Sequence, residues 1–175
     1  MKFLKLGLIG LALFSLLALS YYISIKPPHK FTDQEVKQIY LNIITHTGES
    51  QDALPLVIVN EPIINAYTDG KEVVVYRGII DYAKTPDEIA LILGHEVAHD
   101  MLRHVYFDEF HKTELETTIA EANADKMGAF YMMRSGYNIC TARNIWKRIE
   151  KDFGDYQGLN HPSPSYRYSQ LNIGC

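Results

Sequence analysis

The first hydrophobic pattern in the chain is an unbroken one. Residues 6–25 carry no charge, with Lys2 and Lys5 before them and Pro27-Pro28 after. As a helix this run would be about 30 Å long, enough to cross the hydrocarbon core of a bilayer. It reads either as a cleaved signal, with residues 6–17 as its apolar region and Ala18 and Ser20 before the cut, or as an uncleaved anchor with Tyr21 and Tyr22 near the interface. On either reading the leading lysines favour an inside N-terminus, so residues beyond about 30 are expected outside the cytosol. The chain therefore divides into 1–26, signal peptide or membrane anchor, and 27–175, one domain.

In the body the pattern becomes periodic. Thr32-Asp33-Gln34-Glu35 has the form of a capping box, with Phe31 placed to staple the helix start. Val36, Ile39, Tyr40, Ile43 and Ile44 then follow the spacing of one helical face. Residues 54–59 and 72–76 are β-rich runs separated by turn residues that include Asp69-Gly70. Thr85-Pro86-Asp87-Glu88 is a second capping box, with proline at the first helical position. The helix it opens is expected to run through Leu91 and His95 to about His104. A third helix is expected over 113–134, closed by Ser135-Gly136, and Ile145, Trp146, Ile149 and Phe153 suggest a fourth. The tail from Gly154, with Pro162 and Pro164, reads as irregular. These elements predict an α+β domain, mainly helical with a small sheet.

Composition narrows the function classes. With 175 residues, 47% hydrophobic and 22% charged, the chain can bury a real core. Lys plus Arg is 17 and Asp plus Glu is 21, a formal charge of −4 with no basic run, which argues against a nucleic-acid partner. The two cysteines, Cys140 and Cys175, make no C-x-x-C pair, and no G-x-S-x-G serine nucleophile occurs.

The chemistry sits in the second helix. His95-Glu96-Val97-Ala98-His99 is an H-E-x-x-H motif. Histidines four residues apart share a helix face and can hold one tetrahedral metal ion, and Glu96 follows the first where its carboxylate can reach a metal-bound water. Such a site needs a third protein ligand. His104 is one residue short of the third histidine of the H-E-x-x-H-x-x-G-x-x-H class. On a continuous helix it lies about 140° around from His99, facing away, so it reads as structural. Glu121 is better placed, in Glu121-Ala122-Asn123-Ala124-Asp125, where small alanines permit two helices to approach closely. Asp125, one turn later on the same face, could orient a ligand histidine. The competing reading makes Glu121 and Asp125 a solvated face, since Glu114 and Glu116 lie nearby.

A family resemblance joins these pieces. Gly78-Ile79-Ile80, then Asp87 through His99 and Arg103-His104, resembles the zinc metallopeptidase family of HtpX and the prenyl-protein-processing endopeptidases. Asn65-Ala66-Tyr67 resembles its upstream Asn-Ala-aromatic signature. Glu121 and Asp125 resemble its E-x-x-x-D pattern, and His161-Pro162 followed by Arg167 its C-terminal His-Pro element. The resemblance covers residues 54 to 170. It implies a compact zincin, gluzincin-like, with one Zn2+ per chain held by His95, His99 and Glu121, and with His161 bordering the cleft. Only 21 residues separate His99 from Glu121, without room for the extra membrane helices of those branches, so the chain more closely resembles the short branch of the bacterial envelope. Asp100 departs from the small or apolar residue common after the motif.

The expected reaction is peptide-bond cleavage in unfolded or flexible envelope or membrane-associated proteins, in a periplasmic or other extracytoplasmic compartment. Zinc would lower the pKa of its water toward about 7. Glu96 would take the proton and pass it to the leaving amine. Residues 72–77 read either as an edge strand that could pair with an extended substrate or as an ordinary half-buried strand. The alternative is a zinc-binding, weakly proteolytic chaperone or assembly module. His161 has three readings: a partner of the oxyanion with Arg167 anchoring its loop, a removable fourth zinc ligand, or a surface residue. Outside the cytosol Cys140 and Cys175 are expected to pair and tie down the tail.

Overall fold

The computed structural model describes residues 29–48, 54–104, 113–156 and 161–175, and the expected signal or anchor lies outside them. Among the described residues no helix is long and apolar enough to cross a membrane. Helix α1, Asp33–Thr45, begins at a complete capping box: Thr32 Oγ1 accepts from the Glu35 amide at 3.2 Å and Glu35 Oε2 accepts from the Thr32 amide at 2.7 Å. Its buried residues are the five that the helical spacing selects.

Three short strands follow, β1 Leu56–Val59, β2 Ala66–Thr68 and β3 Val73–Tyr76, in the order β1-β3-β2, with β1 parallel and β2 antiparallel to β3. Here the expectation for residues 72–77 is corrected. β3 is the central strand, and Val73, Val74 and Val75 are all buried. A run of consecutive buried valines belongs to a strand covered on both faces. Among the described residues β2 is an outer strand of this sheet, and its three residues are too few to show a period. The Asp69-Gly70 turn joins β2 to β3, with Asp69 Oδ1 accepting from the amides of Lys71 and Glu72 at 2.8 and 3.0 Å.

The remaining elements are α2 Arg77–Tyr82, α3 Pro86–Met101, α4 Glu114–Arg134, α5 Ile139–Ala142, α6 Asn144–Phe153 and α7 Pro164–Gln170. α3 runs through the middle of the core, with Ile89 to Leu93, Val97 and Ala98 all buried, as befits a helix apolar on every side. Its expected capping box is half formed. Thr85 Oγ1 accepts from the Glu88 amide at 3.3 Å, but the Glu88 carboxylate turns inward to Arg148, at 2.7 and 2.6 Å, and to the Lys84 amide. A buried carboxylate takes a bidentate guanidinium in preference to an exposed cap.

Two further expectations change at chain reversals. α3 stops at Met101, not near His104, because Arg103 adopts a left-handed φ of 58° and turns the chain. The tail is not wholly irregular, since Ser163 caps α7 and Pro164 occupies its first turn. Cys140, on α5, and Cys175 are joined as a disulfide with Cα atoms 5.5 Å apart.

Candidate metal centre

Two helices bring the site together, and two glycines let them. A Cβ on Gly128 of α4 would meet the His95 nitrogen at 2.6 Å, and one on Gly94 of α3 would meet the Gly128 carbonyl oxygen at 2.8 Å. Backbone packs on backbone there. The crossing sits one residue before His95 and one turn after Asp125, so it sets the separation of the histidines from the carboxylates. Ala124 contributes as a small buried neighbour, but the closest approach belongs to the glycines.

Glu121 and Asp125 face this crossing and are 5% and 1% exposed, which excludes the solvated-face reading. His95 Nε2 lies 3.0 Å from His99 Nε2 and 3.4 Å from Glu121 Oε2, and His99 Nε2 lies 3.1 Å from Glu121 Oε1. Donors about 2.0–2.1 Å from a tetrahedral ion stand roughly 3.3 Å from one another. The three separations, which reach the two oxygens of Glu121 in turn, are near that spacing, and two imidazoles with a carboxylate are a donor set that suits zinc chemically. His161 stands beside them, its Nδ1 2.6 Å from Glu121 Oε2. The donor atoms of His95, Glu121 and His161 lie within 4.8 Å of one another, a second candidate set that shares two members with the first.

Each histidine is held from behind. His95 Nδ1 is 2.9 Å from Asp125 Oδ1, so Nδ1–H donates to that carboxylate and the ring is held with Nε2 toward the carboxylate of Glu121. Asp125 is gripped in turn by Arg167, whose Nε is 2.9 Å from Oδ2 and whose Nη2 is 2.5 Å from Oδ1. The Arg167 guanidinium stacks 3.7 Å above the Trp146 ring. Arg167 thus ties the helix that follows His161-Pro162 to α4 through Asp125. His104 does not face away from His99 as expected. The turn at Arg103 swings it back, and its Nδ1 lies 3.1 Å from His99 Nδ1. With Nε2 of His99 committed to the site, His99 Nδ1 donates and His104 Nδ1 accepts.

The charges follow from this packing. Burial and the Arg167 cation push the His95 pKa down, while hydrogen bonds to Asp125 and Glu121 push it up and prevail, raising it to about 9. Burial raises the Glu121 pKa, but bonds to His161, His95 and His99 hold it well below the usual carboxylate range. Burial opposes the charge of Asp125 as well, and Arg167 and His95 keep that carboxyl low. Beside His95, buried Glu96 lines a cavity of about 390 Å³ that His161 and Arg167 also border.

Residues 30–120, more than half the chain, match peptidase family M48. The chain belongs to that family. Two of its relatives are named mitochondrial metalloendopeptidase OMA1. The Arabidopsis thaliana protein is 27% identical over 147 residues, covering 66% of this chain and 30% of that protein. The Schizosaccharomyces pombe protein is 23% identical over 180 residues, covering 83% of this chain and 53% of that one. The chain spans about a third to a half of the length of these curated relatives. The matched description is that of a peptidase family. Glu121, Asp125, His161 and Arg167 lie beyond the family match, and the distances above are what tie them to the H-E-x-x-H helix.

Proposed function

We propose that residues 31–175 form a zincin-type, zinc-dependent endopeptidase domain that cleaves unfolded or flexible polypeptides, with His95, His99 and Glu121 as ligands and Glu96 as general base. The observation that carries this reading is the set of donor separations between 3.0 and 3.4 Å among the three ligands. Zinc bound there supplies Lewis acidity, polarising a carbonyl and lowering the pKa of water. Glu96, buried in the cavity wall next to His95, accepts the proton from the attacking water and delivers it to the leaving amine. Asp125 and Arg167 keep the His95 proton on Nδ1, so its Nε2 stays a ligand through the cycle. The outer edge of β2 offers an extended substrate a strand to pair with, which favours chains without fixed structure.

His161 has its Nδ1 against the proposed third ligand, which supports the reading of a fourth donor that substrate displaces. The leading lysines, the apolar run and the Cys140–Cys175 bridge together support a site outside the cytosol.

Zinc per chain in four full-length proteins tests the ligand set. The wild type is expected to hold one zinc, His99→Ala and Glu121→Ala to lose it, and His161→Ala to keep it with weaker affinity. Zinc kept by His99→Ala but lost by His161→Ala would replace His99 by His161 in the set.

A further inference from the structure

The support behind His95 ends on an aromatic ring, and that ring carries a cost of its own. Trp146, on α6, is the chain's single tryptophan. Its Nε1–H is buried and, among the described residues, has no hydrogen-bond partner. A buried donor left unpaired lowers stability, and a phenylalanine in the same place would not incur that loss. The polar tip of the indole is therefore not what the site uses. Its face is better employed. The Arg167 guanidinium carbon lies 3.7 Å from the ring centroid, and indole is the side chain whose face attracts a cation most strongly. The platform itself is fixed. Neighbouring Ile145 is buried, and Arg148, two residues on from the ring, grips buried Glu88 of α3 through two bonds of 2.7 and 2.6 Å.

Resting on the ligand set above, we propose that Trp146 is a positioning residue for the metal: its face fixes the plane of the Arg167 guanidinium and so, through Asp125, holds His95 in place as a ligand. The geometry at Asp125 shows why that plane matters. Oδ1 of Asp125 faces two donors, His95 Nδ1 at 2.9 Å and Arg167 Nη2 at 2.5 Å. Those two nitrogens are only 3.0 Å apart. Both carry hydrogen, so each N–H must point at the shared oxygen and not at the other nitrogen. A guanidinium is planar, and its donors leave it in that plane. Tilting the plane turns Nη2–H toward His95 Nδ1 and weakens the bond that orients the imidazole. The bond from Nε to Asp125 Oδ2, 2.9 Å, fixes one edge of the guanidinium but still lets the plane swing about that edge. Contact with the indole face removes that freedom. An aliphatic side chain would fill the space without attracting the cation or offering it a flat surface.

The test measures the zinc affinity of full-length variants by competition with a chelator, beside the melting temperature of each metal-free protein. Trp146→Leu is expected to weaken zinc binding about tenfold or more. Trp146→Phe keeps a ring and is expected to bind zinc about threefold more weakly than the wild type. Because it also removes the unpaired N–H, its metal-free melting temperature should stay at or above the wild-type value. A ring that only filled space would lose affinity and stability together. In an Arg167→Met background, Trp146→Leu should have no further effect on zinc affinity, since the two residues act in one chain of contacts. Asp125→Asn combined with Arg167→Met serves as that background if the single variant does not fold, and Trp146→Phe carries the comparison if Trp146→Leu does not. Equal zinc affinity in the wild type and the Trp146 variants overturns the proposal and leaves the ligand set intact. So does a loss that persists in full without Arg167. A wild type that binds no zinc sinks both.

Discussion

His95 and His99 project from the same helix toward the same carboxylate, yet the protein supports them in opposite ways. Behind His95 stands a buried charged relay, Asp125 then Arg167 then the face of Trp146, reaching across α4, α7 and α6. Behind His99, among the described residues, stands the His104 ring, delivered by a left-handed turn at Arg103, four residues past it in the chain. The first support is non-local and couples the metal-site geometry to the stability of the domain. The second is local, close to a helix end, and can change without disturbing the core. A relay of buried charges resists loss of either partner strongly, whereas an imidazole close to a helix end contributes mainly direction.

Arg167→Met should separate the two most sharply. It leaves Asp125 buried without its cation, at an expected cost of about 3–5 kcal/mol in unfolding free energy. Urea denaturation of the metal-free protein measures it, and a loss below about 1 kcal/mol would mean that the relay is not structural.

The proton on His95 gives the next effect. Its folded pKa, about 9, lies above the ordinary histidine value. The stabilisation is therefore complete below pH about 6.5 in the metal-free protein and is lost as pH rises through 9, an effect of roughly 3 kcal/mol. Metal must displace that proton, so zinc affinity should rise with pH over the same window. A melting temperature of the metal-free chain that stays level from pH 6.5 to 9, after correction for an His95→Gln control, would contradict the assignment.

Gly128→Ala acts on both histidines at once. The added methyl meets backbone of α3, so the helices must part by several tenths of an ångström, at about 1–3 kcal/mol. Zinc affinity should fall along with stability, where a mutation remote from the crossing would lower stability alone.

The smallest stability change is expected at His104. His104→Ala should alter unfolding free energy by less than about 1 kcal/mol yet weaken zinc binding about tenfold or more. His104→Gln, which keeps an acceptor, should recover part of the affinity. Equal affinities in all three proteins would make the His99–His104 contact incidental.

The same contrast governs what could be read from the chain. Local chemistry was legible. The cap at Thr32, the span of α4 and the H-E-x-x-H face each follow from residues within a few positions of one another. Glu121 and Asp125 were recognisable as candidates by their one-turn spacing, and the alanines between them pointed to a close helix approach. What stayed hidden depends on partners distant in sequence. Nothing near Glu88 says that Arg148 will draw it off its cap. Nothing in the valines of β3 says which neighbour is the outer strand. The Gly94–Gly128 contact could have been suspected from a glycine beside each motif, and the Ser163-Pro164 start of α7 from its cap chemistry. The turn that returns His104 rests on a left-handed arginine, a conformation that residue type does not announce.

The account rests on Glu96 acting as a base beside a metal held by His95, His99 and Glu121. The direct measurement compares the zinc-loaded wild type with Glu96→Gln, which keeps the shape of the side chain and removes its basicity, on an unfolded protein substrate. The account predicts one zinc per chain in both proteins, cleavage by the wild type, and a loss of at least about 10²-fold in kcat for Glu96→Gln. Equal cleavage by the two proteins at equal zinc content would contradict it.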